Sequence, residues 1–148
     1  MTDRTFSDDL FEKGVQFLRE SNSLGALACF EKAYLSEKTP KIQSYLGYCI
    51  AAQRGQIAET LKLCAGAIEA DPGTPEHYLN LGRVYLRAKR KDEAIAALRK
   101  GLSAGDNSEI RALLEDLGTR KRPLFPFLPR RHFLNKYGGI ILHRLRLR

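Results

Sequence analysis

The side chains best suited to acid–base or metal chemistry are scattered along this sequence. Its three histidines, His77, His132 and His143, are far apart, without the paired spacing by which a chain presents zinc ligands. No glycine-rich phosphate loop occurs. Asp92 and Glu93 stand at the start of a predicted helix, where negative charge is favourable to the helix dipole. The sequence therefore predicts no metal, no cofactor and no catalytic activity.

The three cysteines, Cys29, Cys49 and Cys64, are an odd number without the spacing of a metal or redox motif. Each falls on a predicted helix at a packing position, so we expect small buried thiols. Free thiols are typical of a reducing compartment, and we expect a cytoplasmic protein. The first residues, MTDRTFSDDLFEKG, contain early acids and no apolar core, so no signal peptide is predicted. No apolar run approaches the ~20 residues that span a membrane.

One stretch sets the packing pattern of the chain, YLNLGRVYLRAKRKDEAIAALRKGLSAGD, which runs from Tyr78 to Asp106. Its small residues, Gly82, Ala94 and Gly101, are expected where two antiparallel helices come closest. The large residues fill the space between this helix pair and its neighbours; they are Tyr78, Leu81, Tyr85 and Leu98.

This stretch reads Tyr78-x2-Leu81-Gly82-x2-Tyr85 and then Ala94-x3-Leu98. It resembles the tetratricopeptide repeat pattern W-x2-L-G-x2-Y…A-x3-F, with Tyr for Trp and Leu for Phe. The resemblance implies an all-α fold, a right-handed α-solenoid of antiparallel helix pairs. Because one pair cannot bury its apolar face alone, further copies are expected.

Two further copies lie upstream in the same register. The nearer reads Tyr45-Leu46-Gly47-x2-Ile50 and then Thr60-x3-Cys64-x2-Ala67. The other reads Leu10-x2-Lys13-Gly14-x2-Phe17 and then Ala26-x3-Phe30-x2-Ala33. The three predicted helix pairs cover about residues 7–39, 40–73 and 74–106.

Polar residues at fixed offsets predict where the helices start. Ser7 is the expected cap of the first helix, and Thr39-Pro40 and Thr74-Pro75 start the third and fifth. Asp106-x-x-Glu109 resembles a capping box and opens a seventh helix over residues 107–117. We interpret this helix as the terminal cap that a solenoid needs, so the array extends over residues 1–118.

Charge divides the chain at about residue 118. Residues 1–118 hold 16 Lys and Arg against 17 acids, whereas residues 119–148 hold nine Lys and Arg and no acid. Pro123, Pro126 and Pro129 recur every third residue of this tail and favour extended backbone. The large apolar residues between positions 124 and 142 favour a tail that docks on the array or on a protein partner.

The tail has two further interpretations. Its cations and aromatic residues could bind nucleic acid, or its alternating basic and apolar residues could bind an anionic membrane surface. The basic candidates are Arg120, Lys121, Arg122, Arg130, Arg131, Lys136, Arg144, Arg146 and Arg148.

The resemblance also implies a binding surface, because in this family the first helix of each pair lines a concave groove that holds peptides. Carried over by register, the groove candidates are Phe11, Val15, Leu18, Tyr48, Ala52, Leu79, Arg83, Leu86 and Arg87. This largely apolar set with two arginines favours a hydrophobic segment with a carboxylate. The alternative is that several of these residues pack against the tail.

The predicted function is a non-catalytic interaction module, an adaptor or scaffold that binds a peptide or partner segment in the groove. One subtype of the family clamps the acidic C-terminus of heat-shock chaperones with Lys, Asn and Arg. The matching positions here hold Phe11, Val15, Glu76 and Asn80, so that function is not expected. The runner-up is a resemblance to small bacterial secretion chaperones, which are acidic and lack such a tail. Partner identity and oligomeric state do not follow from the sequence.

Overall fold

The computed structural model describes residues 5–119 of the 148-residue chain. Every regular element within that part is an α-helix, and short connections join each helix to the next. The helices are α1 (Phe6–Arg19), α2 (Ser23–Ser36), α3 (Pro40–Arg54), α4 (Ile57–Ala70), α5 (Pro75–Arg87), α6 (Lys91–Ala104) and α7 (Ser108–Thr119). Consecutive helices pack as the pairs α1–α2, α3–α4 and α5–α6. The prediction of an all-α solenoid of helix pairs is confirmed.

The repeats form one compact unit that ends at Leu114. A second unit begins at Glu115, and of it the structure describes the end of α7, residues 115–119. None of the described helices combines the length and apolar character needed to cross a bilayer. The cytoplasmic location remains a prediction from the sequence.

The two Thr-Pro pairs start helices as predicted. Proline fits the first turn because it has no N–H to leave unpaired there. Before α3, the Thr39 hydroxyl accepts a hydrogen bond from the backbone N–H of Ile42 at 3.2 Å. Before α5, the Thr74 hydroxyl instead donates to Asp71 at 2.6 Å and makes no bond to the helix.

The predicted cap of α1 was wrong by two residues. Thr5 is the cap, and its hydroxyl accepts from the N–H of Asp8 while the Asp8 carboxylate accepts from the N–H of Thr5. Ser7 lies inside the helix, 2 % exposed, and its hydroxyl donates to Glu37 at 2.6 Å. A hydroxyl at either position satisfies the local pattern, and the contact with Glu37 at the end of α2 decides between them.

The capping box predicted for α7 was also wrong. The Asn107 side-chain oxygen accepts from the N–H of Ile110 at 3.0 Å, so Asn107 caps the helix. Asp106 instead pairs with Arg111. The Asn107 amide also donates to Glu76 at 3.1 Å, which ties the start of α7 to α5. This second contact depends on the tertiary fold and has no local signature.

Glycine stands where helices approach closely, as predicted. A Cβ atom at Gly82 would lie 2.8 Å from the Leu98 side chain of the paired helix. A Cβ atom at Gly101 would lie 2.7 Å from Ile110 of α7. Leu98 and Ile110 are fully buried, so these crossings are part of the packed core.

The cysteine prediction is confirmed, since Cys29, Cys49 and Cys64 are all buried free thiols. Burial raises the pKa of Cys49 and of Cys64 to about 12. Because the thiolate is the reactive form, these thiols act as small apolar packing groups.

Candidate functional site

Two of the nine groove candidates are core residues. Phe11 is 5 % exposed and Leu79 is 3 % exposed. The Phe11 ring centroid lies 5.5 Å from that of Phe30 and 5.1 Å from that of Tyr45, in an aromatic cluster that joins α1, α2 and α3. These two side chains offer little surface to a ligand, because packing already uses their apolar area.

The other candidates remain at least partly exposed. Arg87 is exposed, and the rest are half-buried. We call this set the Arg83 surface; it comprises Val15, Leu18, Tyr48, Ala52, Arg83, Leu86 and Arg87. These residues lie on α1, α3 and α5, the first helix of each pair.

The Arg83 side chain contacts three other side chains on this surface. Its guanidinium carbon lies 5.2 Å from the centroid of the Tyr48 ring, a distance at which the cation is attracted by the ring face. Its Nη2 donates to the Glu109 carboxylate at 2.5 Å, and its Nη1 lies 3.5 Å from the Asn80 side-chain oxygen. One side chain of α5 therefore contacts α3 and the first turn of α7.

A buried hydrogen bond between α3 and α5 positions the Asn80 side chain that contacts Arg83. The Asn80 amide donates to the Ser44 hydroxyl at 3.0 Å, and both residues are almost fully buried. The pair links α3 to α5 and leaves the Asn80 oxygen directed at Arg83. A satisfied polar pair in the core fixes the register of the two helices, because breaking it would leave an unpaired buried group.

Arg87 follows Arg83 by one helical turn, so the two cations share a face of α5. Its Nη1 donates to the carbonyl of Ala52 at 3.3 Å, in the last turn of α3. That carbonyl belongs to the partly negative end of the helix, where a cation is favoured.

Charges of both signs meet around Tyr45 at the edge of this surface. Burial raises the pKa of the Tyr45 hydroxyl, the negative charges of Glu76 and Glu109 raise it further, and the positive charge of Arg83 opposes them. Tyr45 is therefore a neutral phenol at physiological pH.

The sequence did not single out Ser44, Asn80 or Glu109 as site residues. In the sequence, Asn80 stands out as a mismatch to the chaperone clamp and Glu109 as a candidate capping residue. A usable signal was the repeat register, since Glu109 falls one repeat after Glu76 and so faces the same side of the array.

A separate apolar pocket of about 380 Å³ lies on the other side of α5. Tyr78, Leu81 and Tyr85 contribute to it from α5, and α4 and α6 complete its lining. At 100° per residue, these three side chains point roughly opposite to Arg83 and Arg87. The pocket and the Arg83 surface are thus distinct features of the array.

His77 is a fully buried titratable side chain near the start of α5. Its Nε2 lies 3.4 Å from the Asp71 carboxylate, and neither ring nitrogen makes a well-aligned hydrogen bond within residues 5–119. Burial lowers the pKa of His77, and the nearby Asp71 charge opposes that shift. In the described part of the chain, no group of three or more His, Cys, Asp or Glu residues is placed to hold a metal ion.

The nine basic-tail candidates, from Arg120 to Arg148, lie outside the described residues. The same is true of the proline-containing segment and of its expected docking on the array. These expectations remain predictions from the sequence.

The tetratricopeptide repeat family model matches residues 51–117. Similar solved structures include the first TPR of Spaghetti (RPAP3) bound to HSP90 peptide SRMEEVD, at 17% identity and a TM-score of 0.61, with 79% of this chain and 96% of that chain covered. The TPR domain of Sgt2 from Aspergillus fumigatus is 21% identical, with a TM-score of 0.61 and 76% of each chain covered. A search of curated proteins found no significant match.

A third similar structure is an O-GlcNAc transferase mutant, K341M, from Thermobaculum terrenum. It is 18% identical, with a TM-score of 0.65, and the likeness covers 79% of this chain and 23% of that chain. Tetratricopeptide repeat domains are in general non-catalytic interaction modules. In the Thermobaculum protein, however, a similar fold forms part of a transferase. The absence of catalytic activity in our chain therefore stays a prediction.

The consecutive helix pairs approach closely at glycine residues, and this arrangement defines an all-α repeat solenoid. Residues 51–117 match the tetratricopeptide repeat family. The helices of residues 5–119 have the fold of solved tetratricopeptide repeat domains.

Proposed function

We propose that this protein is an interaction module that binds a segment of a partner protein on the Arg83 surface. The observation that carries the proposal is the placement of Arg83, whose guanidinium is held by the Tyr48 ring and the Asn80 oxygen while its side chain stays 28% exposed. A guanidinium fixed in this way is ready to bind a carboxylate, because little side-chain entropy remains to be lost.

The remainder of the surface favours apolar contacts. Val15 and Leu18 pack on the core of the first two repeats but keep part of their area exposed, as does Leu86 on α5. Arg87 adds a second cation one turn from Arg83. The ligand that fits is an apolar segment with at least one carboxylate, placed to meet the two arginines.

The chaperone-tail clamp is not the mode we propose, although one similar structure holds an HSP90 peptide. Phe11 is buried, Glu76 accepts a hydrogen bond from Asn107, and Asn80 donates to Ser44. Three of the four clamp positions are thus occupied by an apolar core residue, a carboxylate and an amide with a buried partner. A strongly acidic peptide would meet the Glu76 carboxylate at one of these positions.

Selection from a displayed library of random dodecapeptides tests this proposal on the full-length protein. We expect the enriched peptides to combine several apolar residues with Asp, Glu or a terminal carboxylate. Binding of those peptides is then compared between the wild type, the R83Q/R87Q variant and a K62Q/R99Q control, which removes two exposed cations from α4 and α6.

The proposal predicts that R83Q/R87Q loses most of the binding and that K62Q/R99Q retains it. Equal binding by all three proteins, or enrichment of basic peptides, would contradict it. Binding of nucleic acid or of an anionic membrane rests on the tail beyond residue 119 and remains a prediction from the sequence, as does the likeness to secretion chaperones.

A further inference from the structure

The guanidinium that the proposed ligand would use is already bound to a carboxylate of this chain. Glu109 Oε2 lies 2.5 Å from Arg83 Nη2, a short charge-assisted hydrogen bond. Glu109 lies in the first turn of α7, and Arg83 lies in the second half of α5. The carboxylate of Glu109 therefore occupies the position that a ligand carboxylate would need.

The two partners of this ion pair are held very differently. The Arg83 side chain is 28% exposed and is fixed by the Tyr48 ring and by the Asn80 oxygen. The Glu109 side chain is 65% exposed, so it can rotate into water at little cost. Release of the pair would leave the guanidinium in place and remove the carboxylate.

The start of α7 has contacts that do not depend on this pair. Asn107 caps the helix, and its amide donates a hydrogen bond to Glu76 of α5. Ile110 is fully buried and packs where Gly101 of α6 leaves room for its side chain. A negative charge in the first turn is also favourable to the helix dipole without Arg83. Glu109 is thus not needed to hold α7 on α5, and its contact with Arg83 is available for another role.

We infer that Glu109 is an internal competitor for the ligand carboxylate at Arg83 and so sets the selectivity of the surface. This inference rests on the proposed function. A ligand carboxylate that reaches Arg83 displaces Glu109, which turns toward solvent. A neutral ligand gains nothing at this position, and a weakly placed carboxylate does not displace the internal one.

Two matched peptides test the inference with the full-length protein: acetyl-Leu-Ile-Leu with a free C-terminal carboxylate, and its C-terminal amide. Their dissociation constants are measured by NMR titration of the wild type, E109Q, R83Q and E115Q. Glu115 is an exposed glutamate of the same helix, so E115Q makes the same change of charge elsewhere on α7. Amide spectra of each variant without peptide verify that it folds.

We expect E109Q to bind the carboxylate peptide about two- to fivefold more tightly than the wild type, the range that an exposed ion pair allows. Affinity for the amide should be equal in both proteins, and E115Q should match the wild type. R83Q should bind the two peptides alike. The Arg83 Nε–H resonance should also shift in E109Q before any peptide is added.

Unchanged or weaker binding of the carboxylate peptide by E109Q, with R83Q still losing the preference for it, would overturn the inference alone. Glu109 would then serve to position Arg83, and the proposed function would stand. If neither the wild type nor E109Q prefers the carboxylate peptide over the amide, the inference and the proposed ligand class both fail.

Discussion

The guanidinium of Arg83 lies 5.2 Å from the centroid of the Tyr48 ring, which joins the second repeat to the third at the proposed binding surface. The energy of this cation–π contact depends on the aromatic ring and not on apolar bulk. In a double-mutant cycle with Y48L and R83Q, we expect a coupling of about 0.5–1 kcal/mol in the free energy of unfolding. Urea denaturation measures it, and Y48F should preserve it. Additive effects of Y48L and R83Q would show that the ring only fills space.

The Ser44–Asn80 hydrogen bond should contribute more to stability than any polar contact at the surface. Replacing Ser44 by Ala leaves the buried Asn80 amide without its acceptor. We therefore expect the free energy of unfolding, measured by urea denaturation, to fall by about 1–3 kcal/mol. The matched control is Q53A, which removes an exposed hydrogen bond to Ser23 and should stay within about 0.5 kcal/mol of the wild type. Equal effects of S44A and Q53A would mean that the buried pair does not fix the register of α3 on α5.

Gly82 should not tolerate even one added methyl group. The Cβ atom of G82A would lie 2.8 Å from the buried Leu98 side chain, so we expect a destabilisation of about 1–3 kcal/mol despite the better helix propensity of alanine. At Gly118 nothing lies within 4 Å of the added Cβ atom, and G118A should stabilise by about 0.5–1 kcal/mol. Thermal denaturation of both variants measures the difference; the same sign in both would argue against close packing at the α5–α6 crossing.

Gly82 and Gly101 were predictable because the repeat pattern places a small residue at each crossing. The Thr-Pro starts of α3 and α5 were predictable because they are local. The caps at Thr5 and Asn107 were missed, since a neighbouring Ser or Asp satisfied the same local pattern and a contact with another helix decided the outcome.

The site was predictable only in part. The repeat register puts Arg83 and Arg87 on one face of α5, and it also includes Phe11 and Leu79, which are buried. The contact between Arg83 and Glu109 joins residues 26 positions apart and depends on how α7 lies against α5. No local sequence pattern specifies how α7 packs against α5.

The buried His77 predicts a dependence of stability on pH. Burial holds its pKa below the ordinary value of 6.5, so the unfolded chain binds a proton that the folded chain does not. The free energy of unfolding should therefore fall as the pH drops through about 6.5, and continue to fall until folded His77 is itself protonated. Asp71 and Glu76, which lie near the ring, reduce this effect without reversing it.

Urea denaturation at several values between pH 8 and pH 5 measures this dependence. We expect H77Q, which cannot take up the proton, to lose stability overall but to show a flatter profile over that range. A steeper profile for H77Q, or a wild type that becomes more stable toward pH 5, would contradict the role given to His77.

The most direct test of the account is an NMR titration of the ¹⁵N-labelled full-length protein with the peptide most enriched from the library. We predict saturable shifts at Val15, Tyr48, Arg83, Arg87 and Glu109, the face formed by α1, α3, α5 and the start of α7. Shifts confined to Leu81, Tyr85 and Ala96, around the pocket on the other side of α5, would contradict the claim that the Arg83 surface is the binding site.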